Sequence, residues 1–97
     1  MRPVTPDVSV LLPYRNAART IEEALASVLA DESASIEVLA VDDGSTDDGP
    51  ARVAALADSR VRGLSSRGRG LVAALELGRR HARAPYLARM DADDLTL

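Results

Sequence analysis

Carboxylates dominate the residues of this chain that could do chemistry. Three of them crowd into Asp91-Ala92-Asp93-Asp94. Ionised carboxylates this close repel one another, a cost tolerated where a divalent cation sits among them. Mg2+ or Mn2+ typically takes one or two protein carboxylates and fills its shell with phosphate oxygens and water. Asp91, Asp93 and Asp94 are together the candidate ligands, and a bound diphosphate would complete the shell. The competing reading is a solvated acidic turn or a helix cap.

A second acidic run is Asp42-Asp43-Gly44-Ser45-Thr46-Asp47-Asp48. Asp42 and Asp43 are candidates to accept hydrogen bonds from a base N–H or a ribose hydroxyl. Gly44 suits a tight turn, and Thr46, Asp47 and Asp48 read as turn and cap residues. A calcium-binding loop fits poorly: the strand-then-helix flanks and the lack of a final Glu ligand argue against it. In Pro13-Tyr14-Arg15-Asn16, Tyr14 or Arg15 could stack on a nucleobase. Alternatively the segment is a bend, with Asn16 making a turn hydrogen bond. Arg67-Gly68-Arg69-Gly70 offers cations and permissive backbone ahead of a helix, which suits a phosphate. The same stretch reads Gly68-x-Gly70-x-x-Ala73, a dinucleotide fingerprint with Asp91 at ribose distance. Three residues, Ser65, Ser66 and Arg67, separate that fingerprint from its strand, which weakens the match. His81, near a helix end, reads as a cap or a solvent-facing residue. No Cys/His or Ser/His/Asp arrangement is present.

These segments need a frame. Val8-Ser9-Val10-Leu11-Leu12 reads as a buried strand stopped by Pro13, and Ile36-Glu37-Val38-Leu39-Ala40-Val41 as a second. Val61-Arg62-Gly63-Leu64 is a weak third, and 85–90 a fourth that runs into the acidic residues. Between them lie three helical stretches. The first opens on a capping box, Thr20 to Glu23, in which the Thr hydroxyl and the Glu side chain satisfy free amides. Its inner face is Ile21, Ala24, Leu25, Val28 and Leu29. The second starts near Pro50, with Val53, Leu56 and Ala57 inside. The third presents Leu71, Ala74, Leu75 and Gly78. The alternation predicts an α/β fold: a Rossmann-like, mostly parallel sheet of about four strands with flanking helices. In such sheets ligands bind at the carboxyl ends of the strands. All four polar segments fall just after strands, so they converge on one edge.

Composition narrows the partners. The 97 residues suit one domain, and a net charge of −3 gives no reason to expect nucleic acid. Aromatics are 2% of the chain, so Val, Leu, Ile and Ala must build the core. All basic residues except His81 are Arg, and Cys is absent, which excludes disulfides and thiolate metal sites. No apolar stretch approaches the ~20 residues of a membrane span, and the first residues lack an apolar signal core. A cytoplasmic protein is expected, membrane-peripheral if a longer form carries an anchor.

In combination the motifs resemble family 2 glycosyltransferases of the GT-A fold. That family opens on a strand like Val-Ser-Val-Ile-x-Pro-x-x-Asn, here Val8 to Asn16. Its second strand ends in Val-Asp-Asp-Gly-Ser-Thr-Asp, here Val41 to Asp47. A Gly-Leu helix start, Gly70-Leu71, precedes a Tyr-led strand into Asp-Ala-Asp-Asp, here Tyr86 to Asp94. The resemblance covers nearly the whole chain. It implies a nucleoside-diphosphate-sugar donor, a DXD motif and inverting hexosyl transfer. Pro13 and Arg15 would line the base pocket and Asp42 would contact the base. Asp91 would lie near the ribose, and Asp93 would bind the metal at the diphosphate. An aromatic is common where Arg15 stands, and Asn where Gly68 stands. Family members continue well past the acidic motif into an acceptor region that carries the base, whereas Leu97 follows Asp94 by three residues. The expectation is therefore a donor-binding portion, without acceptor region or catalytic base and inactive alone. Surface exposed by such truncation would favour a homo-oligomer. Two rival functions remain: a dinucleotide-binding oxidoreductase domain, and a non-catalytic nucleotide-binding or self-associating module.

Overall fold

Two apolar runs with side chains buried on both faces are the signature of central parallel strands. In the computed structural model, which describes residues 5–31 and 34–92, these runs are β1 (Val8–Tyr14) and β2 (Ile36–Asp42). They alternate with α1 (Ile21–Leu29), α2 (Gly49–Ala55), β3 (Val61–Ser65), α3 (Leu71–His81) and β4 (Tyr86–Arg89). The strand order is β3-β2-β1-β4 and every pairing is parallel. The expected α/β architecture is thus observed. The chain builds outward from β1 to β3, then returns to place β4 on the other side of β1. Where that winding reverses, the helices on either side diverge and leave a crevice at the carboxyl ends of the strands. Here the crevice falls between β1 and β4.

Each face of the sheet has its own apolar cluster. Val10, Leu12, Val38 and Ala40 pack with Ile21, Ala24 and Leu25 of α1 and Val53 of α2. Leu11, Leu39 and Val41 pack with Ala74 of α3 on the opposite face. The edges differ from the centre. All of β4 is exposed, with Tyr86 and Leu87 among its outward side chains. Among the described residues no helix is long and apolar enough to cross a membrane.

Three local expectations need correction. Pro13 does not end β1, which continues to Tyr14 in register with Asp42. Along β1 the backbone groups alternate between neighbours: the Leu11 carbonyl accepts from Met90 beside β4, and the Tyr14 carbonyl accepts from Asp43 beside β2. Position 13 faces the β4 side, beyond the last β1–β4 pair, so its missing N–H leaves no ladder bond unmade. The capping box is not formed. No side chain caps α1, and the Thr20 hydroxyl donates instead to the Ala17 carbonyl at 3.4 Å. A turn already carries the Thr20 and Ile21 amides to that same carbonyl. Finally, α2 stops at Ala55. Leu56 caps it, 38% exposed, and Ala57 turns left-handed at φ 52°, so of the expected inner face only Val53 is buried.

At the amino end of the sheet a charged residue is enclosed. Glu37 sits within apolar β2 with only 2% of its side chain exposed. Its Oε2 accepts from Ser9 Oγ and from the Arg83 backbone N–H, both at 2.6 Å. Its Oε1 accepts from Arg83 Nε at 3.0 Å and faces Arg62 at 3.5 Å. Ser9 Oγ in turn accepts from the Ala84 amide. Burial pushes the Glu37 carboxyl up, but these hydrogen bonds outweigh burial and hold it below the ordinary carboxylate value. The cluster joins β1 and β2 to the segment that leads into β4.

Candidate functional site at the carboxyl edge

The loops after β1, β2 and β3 are tied together by their own polar side chains. Asn16, at φ 51°, receives the Thr46 amide on Oδ1 at 2.8 Å and donates its own amide to Ser45 Oγ at 2.9 Å. Asp47 accepts from the amides of Ala18 and Gly49. Asp43 Oδ1 accepts from Ser66 Oγ at 2.8 Å and from the Gly70 amide at 3.0 Å, fastening the third loop to the second. The loops also meet backbone to backbone. Gly44 adopts φ 82°, and a Cβ placed on it would stand 2.8 Å from the Gly68 Cα.

This network sorts the candidate residues. Thr46 and Asp47 are structural, as expected. Asn16, Asp43 and Gly70, read as ligand contacts, spend hydrogen-bonding groups on the scaffold. Asp42 is half-buried, and one carboxylate oxygen receives the Ser45 amide at 2.9 Å. The Tyr14 ring belongs to the core cluster shared with α1 and α2, and Tyr14 also lines the cleft. Burial, with the Asp42 and Asp47 carboxylates nearby, raises its phenol far above the ordinary value and keeps it protonated. Arg15 is exposed beside the cleft. Arg67 is placed elsewhere. It lines a separate cavity against the side of α3, shared with Arg69 and Arg80. His81 closes α3, exposed, with Nδ1 3.0 Å from the Leu77 carbonyl, in keeping with a capping role.

The cleft itself occupies the switch point between β1 and β4. It encloses about 400 Å3 between Pro13, Arg15 and Asn16 on one side and Arg89 and Asp91 on the other. Asp43 and Leu71 also line it. Among the described residues no side chain caps the first turn of α3, whose Leu71 borders the cleft; amide groups at a helix start favour anions. A larger cavity of about 470 Å3 between α2 and β3 is mainly apolar, with Asp42 on its margin. The smaller cleft is where cations, a carboxylate and a helix start meet. Sequence reasoning overlooked Arg89. It stands in a predicted strand two positions before Asp91, and a charge in an apolar strand was the available signal. Arg89 Nε and Nη2 both donate to Asp91 Oδ1, at 3.2 and 3.1 Å.

Asp93 and Asp94 lie outside the described residues, so Asp91 is the one candidate ligand of the acidic run with a described position. The described residues contain no cluster of three or more potential metal ligands. A donor set of one or two carboxylates still fits Mg2+ or Mn2+ when phosphate oxygens fill the remaining positions.

Comparison with known proteins identifies the framework. The family model described as "Glycosyl transferase family 2" matches residues 9–96. The succinoglycan biosynthesis protein ExoO of Rhizobium meliloti is 43% identical over 90 residues, 92% of this chain and 26% of that protein. An Escherichia coli UDP-Glc:alpha-D-GlcNAc-diphosphoundecaprenol beta-1,3-glucosyltransferase, WfgD, is 33% identical over 91% of this chain and 35% of its own length. The mannosyltransferase PcManGT from Pyrobaculum calidifontis, solved in complex with GDP-Man and Mn2+, superposes with a TM-score of 0.82. It is 31% identical, over 93% of this chain and 28% of that one. The chain therefore spans about a quarter to a third of the length of these relatives. The resemblance in the motifs and the GT-A framework agree with these matches, which favour a glycosyltransferase over a dinucleotide-dependent oxidoreductase. The chain belongs to glycosyl transferase family 2.

Proposed function

We propose that this chain forms the donor half of a glycosyltransferase site and binds a nucleoside-diphosphate sugar with Mg2+ or Mn2+. The observation that carries this is the cleft at the β1/β4 switch point, with Asp91 on its wall and the uncapped start of α3 at its edge. Similarity to a structure holding GDP-Man and Mn2+ supports it. In this reading Pro13 and Arg15 frame the base, which extends past Tyr14, common to both cavities, to reach the free oxygen of Asp42 in the adjoining one. Asp91 lies by the ribose and, with Asp93, serves the cation at the diphosphate. Asn16, Asp43 and Gly70 fix the loops in place rather than bind.

The reaction served would be inverting hexosyl transfer. An acceptor hydroxyl attacks the anomeric carbon, a general base takes its proton, and the nucleoside diphosphate departs with the bonding electrons. A bound divalent cation would supply Lewis-acid stabilisation of the charge that develops on the leaving diphosphate. This chain's own residues contribute binding and orientation of the donor.

Isothermal calorimetry tests the proposal. The 97-residue chain is expected to bind UDP, GDP or dTDP in the presence of Mn2+ and much more weakly with chelator. Asp93→Ala should weaken the Mn2+-dependent binding by about tenfold or more, the scale of a lost charge-assisted contact. If Asp93→Ala binds all three as the parent does, the metal assignment is wrong.

A further inference from the structure

Arg89 is the cleft residue that neither the acidic motif nor the loop network explains. It pairs in register with Leu11, and Asp91 lies two positions on, so both side chains belong to one side of the strand end. Two of the three guanidinium nitrogens, Nε and Nη2, converge on a single oxygen, Asp91 Oδ1. A fork-to-fork pair would use both carboxylate oxygens and is the stronger geometry. The pair is also open to water, with 47% of the Arg89 side chain and 42% of the Asp91 side chain exposed. Such pairs are weak and easily exchanged. Among the described residues the only other cation lining this cleft is Arg15, since Arg67, Arg69 and Arg80 line a different cavity.

The carboxylate that the donor-site reading assigns to a divalent cation is therefore held by a weak internal cation beside the position expected for the diphosphate. We infer that Arg89 is an exchangeable counter-ion: it occupies Asp91 until a divalent cation takes that carboxylate, and the released guanidinium then binds the diphosphate. The planar guanidinium has five donors and suits two phosphate oxygens at once. The inference rests on the donor-site reading above and adds a consequence that reading lacks. Cation and nucleotide binding are coupled through one side chain, which opposes the first and assists the second.

Arg89→Gln removes the charge and keeps most of the length. Calorimetry with Mn2+ alone is expected to show tighter binding by about threefold, because Asp91 no longer has an internal competitor. At saturating Mn2+ the same variant should bind UDP or GDP about tenfold more weakly. Free uridine or guanosine, lacking phosphates, should bind variant and parent alike. In an Asp91→Asn background Arg89→Gln should leave Mn2+ affinity unchanged, since the carboxylate for which it competes is gone. Thermal melting of each variant separates these effects from unfolding. If the parent binds no nucleoside diphosphate with Mn2+, the donor-site reading fails and this inference with it. If the parent binds but Arg89→Gln keeps the parent's affinity for either Mn2+ or the diphosphate, the inference alone is overturned.

Discussion

At the amino end of the sheet, Glu37 keeps 2% of its side chain in water; at the carboxyl end, Asp91 keeps 42%. Both are carboxylates beside arginines, yet their surroundings are opposed. Glu37 is met by a hydroxyl, a backbone amide and two guanidinium groups, which satisfy both of its oxygens. Among the described residues, Asp91 has one oxygen bonded, and only by Arg89. Burying a charge is costly unless it is fully paired, so a buried carboxylate has to be complete. A carboxylate at an open edge can be left incomplete, and its spare valence is then available to a ligand. The two ends divide the work: one holds the strands together and the other keeps its contacts exchangeable.

The sharpest way to break this contrast is to empty the enclosed end. Glu37→Ala would leave Ser9 Oγ, the Arg83 amide and two arginines without their common acceptor. Removing one partner of a buried ionic cluster typically costs about 3–5 kcal/mol. Against a usual total of about 5–15 kcal/mol, that is close to unfolding. Urea denaturation should show it as a large fall in midpoint. Acid should reproduce part of the effect. Because the folded Glu37 carboxyl sits below its ordinary value of 4.5, its contribution is complete above that value and is lost as pH falls through the lowered one. Asp58 acts in the same direction, with hydrogen bonds from Arg60 lowering it from 3.8 to about 2. Circular dichroism should therefore show progressive loss of structure below about pH 4.5. A midpoint in Glu37→Ala equal to the parent's would mean that this end is no more structural than the other.

A smaller effect is expected from the loops at the carboxyl end. Gly44→Ala would place a Cβ 2.8 Å from the Gly68 backbone in a left-handed conformation, φ 82°. Neither neighbour can yield as a flexible side chain could, and the strain should cost about 2 kcal/mol. The same substitution pushes the second and third loops apart at the hinge that Asp43 fastens. Nucleotide affinity should fall along with stability. Wild-type nucleotide affinity in a destabilised Gly44→Ala would show that the loop network does not support the site.

The asymmetry between the ends also explains what could be read from the sequence. Runs such as Val38-Leu39-Ala40-Val41 carry their strand identity locally, and the alternation with helical stretches yields a parallel sheet. The acidic runs after β2 and β4 are equally local, so the site's edge was legible. The roles within it were not. Whether Tyr14 faces cleft or core depends on strand parity relative to α1 and α2, which no local pattern contains. Asp43 reads as a ligand alone until Gly70, far along the chain, is seen donating to it, which gives it a second task in the loop network. Pro13 reads as a strand stop until the strand order shows that its missing N–H faces a side where pairing has ended. Glu37 needs Arg83 from beyond α3 to become intelligible. Local patterns gave the elements, and partners distant in sequence gave the polar side chains their tasks.

The smallest effect on stability should come from the residue with the largest expected effect on binding. Asp91→Asn removes one exposed ion pair with Arg89, and such pairs contribute about 0–1 kcal/mol. The urea midpoint should therefore stay close to the parent's, unlike that of Glu37→Ala. Mn2+-dependent binding of UDP or GDP should nonetheless fall by about tenfold or more, because the amide is a poorer cation ligand than the carboxylate. Measured on one protein preparation, the two quantities separate the ends of the sheet: stability follows the carboxylate with every partner in place, and binding follows the carboxylate with a partner still to find. If Asp91→Asn lowered both together, Asp91 would belong with Glu37 as a structural group, and the exchangeable contact at the cleft would have to be sought on another residue.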